Sequence, residues 1–355
     1  MFARTTLAVR PAACLSVIWA WSAVAAPARA EENLQAEMAV VAEAVAEYLG
    51  EHDAAAVSLG DFRGPKALAA TGGPVIVSVL GEQLRQREIE TANDADYQVR
   101  GAYADVIDAN SKLLAALITV ELVNARTGDV ALSVNRGLFG EVALATLFGA
   151  TVELKPNAET QTRSKRLGDR LEEPEVHLSA ARVSPEEDCP YGIELLVRPA
   201  AGRDGQFLPR VPKDDNGLAF VHVNRSEVYA IRLINNSPHD AAVTLTVDGL
   251  NVYRFHGNLG FPQILLPAGT SGLIEGWPRD GGKVDAFRVQ DYGRSKQGRT
   301  LHSATNVGTI TACFSASWKP TDAPPADEPQ SPAETAEADR TFGVLRAAIS
   351  VRFVK

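Results

Sequence analysis

Apolar and polar positions change period along the chain, and those changes divide it. Residues 34–49, LQAEMAVVAEAVAEYL, place Leu34, Met38, Val41, Val45, Tyr48 and Leu49 at helical recurrence, with Glu37, Glu43 and Glu47 between them. That spacing draws one apolar stripe along a helix. AAAVSLGDF, 54–62, reads as a buried strand running into a turn. Gly64-Pro65 and Gly72-Gly73-Pro74 punctuate the next section, and Pro74 suits the first position of a helix continuing as VIVSVLGEQLRQRE. Residues 94–106 alternate as a strand with Tyr97, Val99 and Gly101 on one face. Segments 114–123 and 130–134 flank the turn chemistry of NARTGD and predict a hairpin, and 139–154 is an apolar, helix-like stretch.

Beyond 154 the pattern changes. KPNAETQTRSKRLGDRLEEP, 155–174, is polar without sustained periodicity and reads as a linker. Short strand-like runs then recur between turns, among them 192–199, 218–223, 228–234, 241–247, 271–277 and 307–318. Many short strands with almost no helical period argue a sandwich or barrel. VTLTVDGLNVY, 243–253, breaks at Asp248-Gly249 and resumes its alternation, the signature of a tight hairpin. DAPPADEPQSPAETAEAD, 322–339, has the proline- and acid-rich composition of a disordered loop. VLRAAISVRFV, 344–354, follows it, and its apolar alternation predicts a last strand that returns to the sandwich.

The fold class is therefore α+β: an N-terminal α/β domain over 31–154, a linker over 155–174, and an antiparallel β-sandwich over 175–355. Residues 1–30 stand apart. Arg4 and Arg10 precede an apolar run containing Trp19 and Trp21, and Ala28-Arg29-Ala30 closes it before Glu31-Glu32. This is the pattern of a secretory signal peptide cleaved after Ala30. The run is shorter than the roughly 20 residues of a membrane span. Cys14 follows Ala-Ala, but Pro11 occupies the aliphatic position of a lipobox, which argues against lipidation. The expected locations are the periplasm or the outside of the cell.

Charge narrows the partners. The leader carries three arginines and no acid, so its removal takes the net charge from −9 to −12. An acidic chain gives nucleic acid or anionic lipid no electrostatic purchase. Cys189 and Cys313 would remain, and an exporting compartment permits either a disulfide between them or two buried thiols.

The candidate chemistry is sparse. The six histidines show no metal-ligand spacing, and neither G-x-S-x-G nor a phosphate loop occurs, so no cofactor or metal is implied. Gly72-Gly73-Pro74 opens a helix whose N-terminus could hold an anion, although it lacks the lysine of a phosphate loop. Tyr253, Phe255, Phe261, Trp277, Phe287 and Tyr292 crowd into forty residues, as a carbohydrate or peptide platform or as core. Phe287 and Trp277 end or interrupt alternating strands and are expected in the core.

Two resemblances follow. Gly60, Asp61 and Phe62 end a strand, Leu80 and Leu84 close the next helix, and Ala95, Asp96, Tyr97 and Gly101 open a second strand. Thr127-Gly128 ends a third, and this order resembles the α/β domain of CsgG-like and LpoB-like lipoproteins and of the N-terminal part of TolB. It covers about a third of the chain, and the absent lipobox departs from the lipoprotein members. YAIRLINNS, TVDGLNV, FPQILLPAG, IEGW, VDAFRV, NVGTITACF and ISVRFV resemble an uncharacterised bacterial β-sandwich module over most of 218–355. The resemblances imply an envelope protein that binds an envelope protein, a polysaccharide or peptidoglycan, without catalysis. Sandwich-turn residues Asp248, Asn251, Tyr253, Arg254, Trp277 and Arg279 are the expected contacts, since loops on rigid scaffolds commonly bind. The alternatives are a hydrolase using His256, His302 and Asp280 or Asp291, and a structural protein that oligomerises through a strand edge.

Overall fold

The computed structural model describes residues 30–65, 69–200, 205–256, 263–288, 307–329, 335–336 and 340–354. The proposed leader lies outside them, apart from Ala30. Helix α1 (Ala30–Glu51) leads into strand β1 (Ala56–Arg63), helix α2 (Ala69–Gln86), β2 (Glu90–Thr91), β3 (Tyr97–Ile107), β4 (Leu114–Asn124) and β5 (Val130–Leu138). These strands form one sheet in the order β2-β1-β3-β4-β5. β1 runs parallel to both neighbours, and β3-β4-β5 is an antiparallel meander whose last turn is the expected hairpin. The stripe foreseen on α1 is buried, with Met38, Val41, Val45 and Leu49 in the core beside Ile76, Leu80 and Leu84 of α2. The sheet keeps its bulge at Gly60-Asp61 so that Phe62 can lie over Gly101, where a Cβ would come within 2.6 Å of the ring.

Three local expectations are corrected. Helix α2 begins at Ala69 and holds Pro74 in its second turn rather than at its start, at the cost of one intrahelical bond. The apolar run 139–154 is a short helix, α3 (Glu141–Phe148), ended by Gly149 at φ 62°, and then a two-residue strand, β6 (Val152–Glu153). The segment read as a linker contains helix α4 (Thr160–Glu172), which buries Arg163, Ser164, Leu167, Arg170 and Leu171. Its inward face is part cationic. Arg163 is held by Glu141 and donates to the Lys155 and Leu345 carbonyls at 2.8 and 2.6 Å, so those charges sit in a buried layer without being orphaned.

The second half is the expected sandwich. β7 (His177–Ser179), β8 (Arg182–Ser184), β9 (Tyr191–Pro199), β10 (Leu208–Pro209), β11 (Lys213–Asp215), β12 (Leu218–His222), β13 (Glu227–Asn235) and β14 (Asp240–Val247) come first. They are followed by β15 (Leu250–Asn251), β16 (Ile264–Leu266), β17 (Thr270–Ile274), β18 (Gly276–Pro278), β19 (Val284–Arg288), β20 (Val307–Trp318), β21 (Thr335–Ala336) and β22 (Arg340–Val354). One sheet is centred on β13 and β9, the other on β22 and β20. The final strand pairs antiparallel with β20 over most of its length and parallel with β12. It is an interior member of its sheet.

That inner sheet is covered on both faces. Ile310, Ala312 and Phe314 of β20, with Ala347, Ile349, Val351 and Phe353 of β22, face the sandwich core. The alternate residues Cys313 and Ala348, and Leu345 beyond the register shift between Phe314 and Ser315, belong to the core under the helices. β6 pairs with β22 at Ala347 and Ala348, and Ser350 donates from its N–H to Thr151 Oγ1 and from its hydroxyl to the Ala150 carbonyl, each at 3.1 Å. The layers therefore run sheet, helices, sheet, sheet. Thr309, Thr311, Ser350, Cys313 and Ala348 on the helix-facing side are small enough to let the helices approach closely.

The acidic stretch 322–339 also differs from expectation, because residues 322–329 fold back onto β22. Asp327 and Glu328 both pair with the Arg346 guanidinium at 2.7 and 2.8 Å. The bond from Arg346 draws the Asp327 carboxyl below its usual range. Residues 330–334 and 337–339 of the stretch lie outside the described ones. Cys189 and Cys313 are two buried thiols, not a disulfide. They lie in different cores, Cys189 with the sandwich and Cys313 with the helices. Burial and the adjacent Glu153 carboxylate raise the Cys189 thiol pKa, which keeps it protonated and unreactive.

Candidate recognition rim

The hairpin at 243–253 is built as its sequence requires. Asp248 and Gly249 take φ 50° and 77°, the left-handed pair that a two-residue turn between Val247 and Leu250 needs. Its tip is not free, however. The Asp248 N–H donates to the Thr309 carbonyl at 2.7 Å, and its carboxylate accepts from the Thr309 N–H at 2.8 Å. A Cβ on Gly249 would stand 2.6 Å from Val75 of α2. Asn251 is buried and accepts from the Tyr253 N–H at 2.8 Å, which shapes the following turn. Arg254 reaches across to α2 and donates to Glu82 at 3.2 and 3.0 Å, with side-chain exposures of 11% and 7%. Of the six expected contact residues, Arg254 thus ties the hairpin to α2, Asp248 ties its tip to β20, and Asn251 shapes the turn that follows. These hydrogen bonds all go to the chain itself.

The other three, Tyr253, Trp277 and Arg279, converge on a different feature. The turn 280–282, with Gly281 and Gly282 at positive φ, reverses the chain between β18 and β19. It leaves Arg279 over the ring of Phe255, with Cζ 4.4 Å from the centroid. The same guanidinium donates to Asp285 at 2.7 Å. Trp277 stands edge-on to Phe255 at 5.2 Å and to Phe287 at 5.3 Å, geometries that aromatic quadrupoles favour. Phe287 is core, as expected. Trp277 is half-buried against that core, with Phe255 and Arg279 stacked outward from it. His256 lies T-shaped to Tyr253 at 6.5 Å, and its Nδ1 is 3.6 Å from Asp280. Burial raises the Tyr253 phenol pKa.

The result is a rim of half-buried aromatic rings crossed by one fixed guanidinium and edged by two carboxylates. It can stack against an apolar ring face while donating and accepting hydrogen bonds at its border. Phe255 and Asp285 complete it and were not among the expected contacts; the visible signal was Phe255 within the aromatic cluster and the alternation of 284–288. Of the hydrolase constellation, His256 and Asp280 do come together, while His302 and Asp291 lie outside the described residues. Among the described residues no group of three or more His, Cys, Asp or Glu side chains could hold a metal ion. No helix among them is long and apolar enough to cross a membrane. No protein-family model, curated protein sequence or solved structure matches this chain.

Proposed function

We propose that this is an exported protein of the bacterial envelope that works by binding, without catalysis, and that its contact surface is the rim of Tyr253, Phe255, Trp277 and Arg279. The leader pattern at 1–30 and the resemblances of both halves support export and an envelope role. The observation that carries the binding reading is the Arg279–Phe255–Trp277 stack, mounted on a core-anchored hairpin and half open to solvent. Preordered rings of this kind lose little freedom on contact, so their burial goes into affinity. Peptidoglycan and other envelope polysaccharides present apolar ring faces of matching size, and an envelope protein could present a side chain instead.

The test is co-sedimentation of the purified chain with peptidoglycan sacculi, run beside a pull-down from envelope extract. Trp277→Ala and Phe255→Ala should each weaken capture by about 1–3 kcal/mol, roughly five- to 150-fold. Capture that is unchanged in both variants would reject the rim. The His256–Asp280 contact favours one second reading, a hydrolase. Stoichiometric zinc in the purified chain, lost in His256→Ala, would establish that reading in place of the first.

A further inference from the structure

Strand β5 ends the first sheet, and among the described residues β4 is its one strand partner. On its other side, alternate residues turn their backbone N–H and C=O groups away from any ladder. Folded proteins usually end a sheet in a short strand, or guard a long one with proline, lysine or an inward charge. Among the described residues, every other strand that ends a sheet or branches from one has two to five residues. β5 has nine, VALSVNRGL, with no proline, lysine or carboxylate among them. Its one charge, Arg136, is already paired with Glu37 of α1. A bulge at Ala131 interrupts the ladder to β4 near its start and leaves 132–138 in regular register.

Charge and symmetry select the partner. The chain carries a net charge of −9, so two copies repel one another over most of their surfaces, whereas β5 brings no carboxylate to a contact. Antiparallel pairing about a two-fold axis at Val134 sets Leu132 opposite the second copy's Arg136, Ser133 opposite its Asn135, and Val134 opposite itself. No charge faces its like in that register. Ser133 and Asn135 stand on the face of the sheet away from the helices, while Leu132 and Val134 pack against the helix core. Asn135 Oδ1 already accepts from the Thr119 hydroxyl at 2.8 Å, which leaves its N–H₂ to donate to the second copy's Ser133. Val130 and Phe139, at opposite ends of the strand, are 50% and 42% exposed. The two-fold axis brings each of them toward the other across the contact.

We propose that β5 is a self-pairing edge: two copies of this chain join antiparallel through it about Val134, and their five-stranded sheets become one continuous sheet. The contact lies on the N-terminal sheet and does not depend on the aromatic rim of the sandwich.

Sedimentation velocity of the full chain over a concentration series tests this. A reversible monomer–dimer equilibrium is expected, with dimer dominant by about 100 μM. A monomer at every concentration up to that value would overturn the proposal. Ser133→Lys combined with Asn135→Lys sets like charges directly opposite in the stated register and should weaken the dimer by more than about tenfold, with unchanged circular dichroism. Leu208→Lys, on β10 of the sandwich, should dimerise as the unaltered chain does. A dimer that persists in the double variant uses another surface and would overturn the proposal. Hydrogen exchange of the unaltered chain decides without any variant. Peptides covering 130–139 should become more protected as concentration rises through the dimerisation range. Protection there that is high and independent of concentration would mean that another segment of the same chain covers the edge, and would also overturn the proposal.

Discussion

Arg254 shows how a single residue can look exposed in sequence and be interior in fact. It sits in a polar turn, yet its guanidinium closes on Glu82 between the hairpin and α2. Arg254→Met should destabilise the fold by about 1–3 kcal/mol in urea titration. The effect stays below that of a fully orphaned buried charge because Glu82 keeps its bonds from Arg85. Gly249→Ala should cost about 1–3 kcal/mol as well, from the left-handed backbone and the Val75 contact together. The Arg346 clamp makes a prediction in pH. Asp327 has a folded pKa below its unfolded value, so its contribution is fully present above about pH 4, the ordinary aspartate value, and is lost as pH falls through the folded value. Denaturant midpoints of the unaltered chain and of Asp327→Asn should therefore differ near neutrality and converge in acid. A difference independent of pH would contradict this. Tyr253, Trp277 and Arg279 were legible as neighbours because aromatic and turn residues crowd one short stretch. Arg254 and Asp248 are committed to partners far away in sequence, Glu82 of α2 and Thr309 of β20, which no local pattern reports.

Among the elements, α1, the β4–β5 hairpin and β22 follow from periodicity alone, since each has one face that meets a core. Helix α4 does not. Its buried positions include Arg163 and Arg170, and two arginines on an inward face erase the apolar stripe by which a helix is recognised. β6 has only two residues and gains its place by pairing with β22, a long-range partner that no local pattern reports. The acidic stretch has the composition of a loop with no fixed partner, yet its Asp327 and Glu328 meet Arg346, so 322–329 packs as a flap on the last strand. Deleting 340–355 removes the strand between β12 and β20 and exposes both edges. The truncated chain should fail to fold, eluting as aggregate in size exclusion with lost native circular dichroism. A monomer with native spectra would show the strand to be dispensable.

At the scale of the whole molecule, the domain division drawn from sequence is crossed by the packing. Thr309, Thr311, Cys313, Ala348, Ser350 and Arg352 alternate with the sandwich core residues, and that alternation reads as a solvent face. Cys313 and Ala348 instead join the helix core, while Ser350 and Arg352 bond to residues of the first half. Apart from Arg352 they are small, which permits a second layer to settle there, and the layer itself is specified far away in sequence. The far face of the N-terminal sheet, by contrast, stays open, with Val106, Leu117 and Phe139 each more than a third exposed. The two halves share β20 and β22 as an interior wall with a core on each face, so they should open together. Peptide-resolved hydrogen exchange across a denaturant series measures this most directly. Peptides from α2, α3, β20 and β22 should lose protection at the same denaturant concentration. Protection lost first in α2 and α3, with β20 and β22 still closed, would contradict the shared interior and restore two independent domains.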